Sequence, residues 1–212
     1  MKGLLVNNIY STQGNIRLSL TIALALAAVS LFLEASSYIP IIIAIQVFVF
    51  ASNLGTSLKM DEASKWNKLE ITLPVTRRTI ISAKYLSFLL LILMGFATSL
   101  ITLALHFLGG EFDFDMIRSG YGYGLQLSFS TIALVYPLIL LLGAEKSETL
   151  LFIAAGFSYG LRVLVWYILF LSDHTIQFKG SAIVEYVSVA IALIMFVLSY
   201  FLSVRIHRNK EF

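Results

Sequence analysis

The chain contains no cysteine among its 212 residues. That excludes disulfides, thiolate metal sites and cysteine nucleophiles, and it leaves the redox compartment unreadable. Charge is scarce as well. Only 13% of the residues are Asp, Glu, Lys or Arg, where soluble domains carry roughly 25%. There are three histidines, His106, His174 and His207; their wide separation argues against a metal cluster. No Gly-x-x-x-x-Gly-Lys-Ser/Thr run occurs anywhere, so the chain lacks the phosphate-cradling loop by which a P-loop protein holds ATP. What the chain has instead is apolar surface: 58% hydrophobic residues and a mean hydropathy of +0.88. Lipid is the solvent for most of it.

Six segments are long enough to cross a hydrocarbon core, which takes about 20 helical residues. They lie near 16–33, 38–58, 85–108, 121–143, 150–171 and 182–204. The first begins too late and runs too long for a cleaved signal peptide. The expected fold is therefore all-α: one polytopic membrane domain over 1–212, with no second domain, internal repeat or low-complexity tract. With both termini on one side, that side holds Lys2, Arg17, Lys59, Lys65, Lys68, Arg77, Arg78, Lys84, Lys146, Arg205, Arg208 and Lys210. The other side holds only Arg118 and Lys179, beside Glu34, Glu111, Asp113, Asp115 and Asp173. Basic residues near spans mark the cytoplasmic face, so both termini are expected in the cytoplasm. The acidic run around Glu111 reads as a solvated loop. Tyrosines and a tryptophan toward the span ends fit an interfacial belt.

The remaining basic residue is Arg162, near the middle of the fifth span. A central arginine costs roughly 3 kcal/mol on insertion scales, so it must face protein, water or a substrate path. It is the candidate path-lining charge; the alternative is that it caps carbonyls or pairs within its own bundle. One turn earlier stands Gly156-Phe157-Ser158-Tyr159-Gly160. This spells the Gly-x-Ser-x-Gly of a hydrolase nucleophile elbow. No histidine on the sixth span can serve the serine as a base, and the same residues are Gly-x-x-x-Gly, which lets helices approach closely in lipid. Gly156 and Gly160 are accordingly the expected packing residues between subunits.

The one long connection, 59–84, lies on the basic side. Residues 61–73 read as a short amphipathic helix: Ala63, Trp66, Leu69 and Leu73 recur at spacings of three and four, and Asp61 and Lys65 make a favourable i,i+4 pair. Pro74 ends this helix and Thr76 caps the next. Two roles fit, a headgroup-anchored interfacial helix or a docking element for a soluble partner. The first fourteen residues form a second amphipathic segment, with Leu5, Val6, Ile9 and Tyr10 on one face.

The run Asn67-Lys68-Leu69-Glu70-Ile71-Thr72-Leu73-Pro74-Val75-Thr76-Arg77-Arg78, followed by Ala83-Lys84-Tyr85-Leu86, resembles the segment after span two in small ABC-2 type transporter permeases. There a Leu-Pro-(small)-(Ser/Thr)-Arg core precedes a Lys-Tyr pair that opens span three. Within that family the chain is most similar to the membrane subunits of exporters of phenol-soluble modulins, which are amphipathic peptide toxins. The resemblance implies an N-terminal interfacial helix and a coupling helix between spans two and three. In that helix Glu62, Lys65, Trp66, Lys68, Leu69 and Glu70 would touch a separate ATP-binding cassette ATPase subunit. ATP and Mg would be bound by that partner, with no cofactor in this chain. A second copy of this or a similar permease subunit would complete the assembly in the plasma membrane, with no nucleic acid involved. The family's re-entrant helices between spans five and six have little room here, since only about ten residues connect them. An ATP-independent secondary transporter or a toxin-immunity membrane protein is the alternative. A proton-coupled carrier would need a deep carboxylate; the candidate is Glu185, whose position at the end of span six suggests an interfacial role instead.

Overall fold

A backbone N–H or C=O inside lipid finds no water, so a spanning segment must close its hydrogen bonds internally. The chain does this with helices. The computed structural model describes residues 2–32, 38–72, 74–108, 114–178 and 181–209; of Lys2, Asn67, Lys68 and Ile71 only the backbone is described. Glu34, Glu111, Asp113, Lys179 and Lys210, used above to orient the chain, and Leu73 of the loop lie outside the described residues. The elements are α1 (Lys2–Ser11), α2 (Gln13–Ser30), α3 (Ile39–Ala63), α4 (Trp66–Thr72), α5 (Arg77–Leu108), α6 (Phe114–Leu142), α7 (Ser147–Ser172) and α8 (Ala182–Asn209). A 3-10 turn, Ala144–Lys146, joins α6 to α7 after Gly143, whose φ of +90° suits a residue without a Cβ.

Five helices are long and apolar enough to cross a membrane: α3, α5, α6, α7 with its preceding turn, and α8. The sixth expected span corresponds to α2. Its 18 described residues, which open on Gln13, Gly14, Asn15 and Arg17, are not among these five. The long helices alternate in direction. α3, α6 and α8 end, and α5 and α7 begin, at the end of the bundle that carries residues 64–76, here the loop end. The opposite end is the far end.

The expected helix over 61–73 is corrected. α3 runs on to Ala63, a turn follows at Ser64 and Lys65, and α4 starts afresh at Trp66. The Ser64 hydroxyl donates back to the Met60 carbonyl at 2.7 Å, and Lys65 takes a left-handed φ of 56°. Asp61 therefore belongs to the end of a membrane helix and pairs with Lys84 rather than with Lys65. Thr76 does cap α5: its Oγ1 accepts the Thr79 N–H at 3.2 Å.

α3 and α6 form the buried centre, α6 and α8 pack most extensively on each other, and α7 is the least buried span. Three glycines set how closely α3 sits. A Cβ on Gly95 of α5 would lie 2.9 Å from the Val47 Cα and carbonyl oxygen. On α6, a Cβ on Gly120 would lie 3.0 Å from the Pro40 Cα, and one on Gly124 3.0 Å from the Ala44 Cα. The close Gly-x-x-x-Gly crossing inside this chain is thus Gly120–Gly124. Gly156 and Gly160, the expected packing pair, are exposed, and a Cβ on either meets nothing within 4 Å. Polar side chains add the interhelical bonds that lipid favours. Gln46 Nε2 donates to the Ala23 carbonyl and to Thr102 Oγ1, each at 2.8 Å, and Asn53 Nδ2 donates to Ser19 Oγ at 2.9 Å. These bonds tie α2 and α5 to α3.

Candidate functional site

At the loop end, Lys84 of α5 is buried and ion-paired with Asp61 of α3. Its ammonium also donates to Asn8 Oδ1 of α1 at 2.6 Å, and Asn8 Nδ2 donates to Ser87 Oγ at 3.1 Å. A buried ammonium needs such partners, because desolvation otherwise outweighs its attraction to one carboxylate. Beside the pair, Leu4, Ile80 and Ala83 form a small apolar cluster that takes up Trp66 and Val75. The face α1 buries is therefore Leu4, Asn8 and Thr12, while Val6 and Tyr10 point outward. Spacing from Leu4 to Asn8 to Thr12 carried that signal; an asparagine in the buried stripe hid it from an apolar count.

The six expected contact residues divide. Glu62, Lys65 and Leu69 are exposed, and Glu62 Oε2 accepts the Ala144 N–H at 2.5 Å. Trp66 and Glu70 turn inward, Trp66 onto the Leu4 cluster and Glu70 to near-complete burial. The Lys68 side chain is outside what is described. Asp61, Glu70, Lys84, Tyr136 and His207 line a cavity of about 90 Å³ at this spot. Burial pushes the Glu70 carboxyl up; Lys84 pulls it down, Asp61 pushes it up again, and the Trp66 indole pulls it down.

That upward shift has a testable sign. Above its folded-state pKa, Glu70 is an ionised carboxylate held at an energetic penalty. The penalty fades as pH falls through that raised pKa and vanishes below the ordinary value of 4.5. Glu70→Gln should therefore be the more stable protein at neutral pH, and the gap to wild type should close on acidification toward pH 4.5. Thermal unfolding of both proteins across that range is the check. A gap that does not change with pH would mean that desolvation does not control this carboxyl.

The second ion pair lies between α7 and α8. Arg162 is 5% exposed, and its Nη2 meets Glu185 Oε1 at 2.5 Å. Ser119 of α6 donates to the same oxygen at 3.0 Å. The guanidinium also stands over the Tyr123 ring, 4.9 Å from its centroid, and 5.9 Å from that of Phe178. Arg162 thus pairs within its own bundle. Glu185, read from the sequence as interfacial, is 1% exposed. Room for it comes from Gly122, where a Cβ would lie 2.6 Å from Glu185 Oε2. Arg162 Nη1 and Glu185 Oε2 have no hydrogen-bond partner among the described residues.

One turn toward the loop end, Gln126 Nε2 donates to the Ser158 carbonyl at 2.9 Å. Ser158 Oγ donates to the Ala154 carbonyl at 2.7 Å and lies 3.2 Å from Thr131 Oγ1. It is a packed helix serine with no basic partner, not a nucleophile. The outward side of α7 carries Phe152, Ile153, Phe157 and Leu164, all exposed, around the notch left by Gly156 and Gly160.

The arrangement holds buried charge pairs that join helices, a short loop helix clamped against the bundle, and an apolar exterior. Among the described residues no histidine base is set beside Ser158. Neither the curated proteins nor the solved structures yield a match. A family model does, that of the ABC-2 family transporter proteins, over residues 3–208. Nearly the whole chain lies within that match, and it belongs to the ABC-2 transporter family, as a multi-pass membrane component of an ABC transport system.

Proposed function

We propose that this chain is the permease subunit of an ATP-driven exporter, energised by a separate ATP-binding cassette ATPase that holds the ATP and Mg. The observation that carries the reading is family membership over 3–208 in a sequence without a phosphate-binding loop. α2 is the first of six spans, both termini are cytoplasmic and the membrane is the plasma membrane; the distribution of Lys and Arg supports this orientation. α4 is the coupling helix. Its exposed Leu69, with Glu62, Lys65 and Lys68, meets the ATPase, while Trp66 and Glu70 hold the helix from behind. α1 lies in the membrane interface. Two copies meet along α7, where Gly156 and Gly160 leave the notch. The substrates are amphipathic peptides or other hydrophobic molecules, the class handled by the phenol-soluble modulin exporters that the chain resembles. Arg162 takes part in the path only in a state that has released Glu185.

The experiment is extraction of the tagged full chain from its native membrane. ATP hydrolysis is expected only in fractions that retain a co-purifying P-loop polypeptide. Hydrolysis by the chain freed of every partner would overturn the reading.

A further inference from the structure

Much of the motif that opens α5 binds α8. Arg77 Nη1 donates to the His207 and Arg208 carbonyls at 2.8 and 2.9 Å, closing the C-terminal end of α8. Arg78 Nε donates to the Tyr200 hydroxyl at 3.3 Å, and Ser82 Oγ lies 2.9 Å from the same oxygen. Tyr85 Oη lies 2.6 Å from Ser199 Oγ and 3.0 Å from Ser203 Oγ, and its ring packs edge-on against Tyr136, Phe196 and Tyr200. Four polar side chains, Arg77, Arg78, Ser82 and Tyr85, thus staple the first turns of α5 to the last turns of α8. At its other end α8 makes a polar tie to a different helix: Glu185, in its first turn, holds Arg162 of α7. Between the two ties α8 runs without a break, about 33 Å at 1.5 Å per residue, on its most extensive partner α6. α7, the helix hooked to the far end, is the least buried span within the single chain.

We propose that the α6–α8 pair is a rigid rod that carries movement of the α5 entrance, beside the loop, to the far end of α7. Arg77 and Tyr85 are the positioning residues at one end and the Arg162–Glu185 pair is the hook at the other. Packed helices shift as rigid elements between discrete arrangements, and polar ties at both ends fix which neighbours follow. Arg162 Nη1 and Glu185 Oε2, unpartnered among the described residues, leave the hook spare hydrogen-bonding capacity. The proposal rests on the permease reading only for what the movement accomplishes.

The test uses the full chain alone in lipid nanodiscs, so its failure says nothing about the ATPase. The absence of native cysteine allows spin labels at two introduced ones, Leu171→Cys in the last turn of α7 and Ile183→Cys in the first turn of α8, both exposed. Pulsed electron-spin resonance reads the distance between them. Tyr85→Phe keeps the ring packing and removes the hydroxyl bonds; Arg77→Gln weakens the α8 closure. Each is expected to shift or broaden the 171–183 distance. In an Arg162→Met/Glu185→Gln background, where α7 is unhooked, Tyr85→Phe should add no further change. An unchanged far-end distance in the folded Tyr85→Phe protein overturns the proposal. So does a change that persists in the unhooked background, because the movement would then travel by another route. If Arg77→Gln fails to fold, Tyr85→Phe decides alone.

Discussion

Gly95→Leu is expected to abolish the folded state of this chain, whereas Gly156→Leu leaves the isolated chain as stable as wild type. At Gly95 the first added carbon would already lie 2.9 Å from the Val47 backbone. Only movement of α3 relative to α5 could relieve that, and α3 is the most buried span. Overpacking a tight site costs about 1–3 kcal/mol where side chains can yield; here the obstacle is backbone, so the loss should exceed that range. Gly124→Leu should act similarly through Ala44. Gly156 meets nothing within 4 Å, so its substitution has no internal contact to break. Thermal unfolding in detergent, followed by size-exclusion profile, checks the contrast. Destabilisation of the single chain by Gly156→Leu would contradict the outward placement of that glycine. Loss of pairing between copies without loss of single-chain stability is the result expected if α7 is the subunit interface.

The second large effect belongs to Arg162 and Glu185. Arg162→Met leaves a buried carboxylate without its cation, and Glu185→Gln leaves a buried guanidinium without its anion. Breaking a buried pair from one side costs about 3–5 kcal/mol. The double variant removes both charges, keeps the Ser119 hydrogen bond to the glutamine, and should recover most of that loss, giving a strongly non-additive cycle. Unfolding of all four proteins under one set of conditions measures it. Additive losses would mean that the two residues do not depend on each other.

Much of this architecture is legible in the sequence. The apolar runs of α3, α5, α6, α7 and α8 are long enough to be seen without a structure, and Pro74 with Thr76 marks where α5 begins. Harder to read is anything decided by which side of a helix meets which neighbour. Gly120-x-x-x-Gly124 and Gly156-x-x-x-Gly160 have the same spacing, yet only the first faces a helix of the same chain. The partner of Arg162 is 23 residues away on another span, and a residue in the first turn of α8 is indistinguishable by position from an interfacial one. The expected loop helix starts five residues too early, because Asp61 fits an i,i+4 pattern with Lys65. Its actual partner, Lys84, has a hydrogen-bonded niche built by Asn8 from the far N-terminus. The apolar stripe of α4 divides: Trp66 packs on Leu4 and Ile80, while Leu69 stays exposed. At Asp61 and at Glu185 a buried ion pair between helices overrode what local position suggested.

The central claim, that a separate ATPase drives this permease through α4, is tested most directly by repeating the native-membrane purification with Leu69→Asp. Leu69 is 54% exposed, so the change leaves the fold of the chain intact. The account predicts that the wild-type chain retains the P-loop polypeptide and its ATP hydrolysis, and that the Leu69→Asp chain, equally folded, loses both. Undiminished hydrolysis and retention with Leu69→Asp would contradict it.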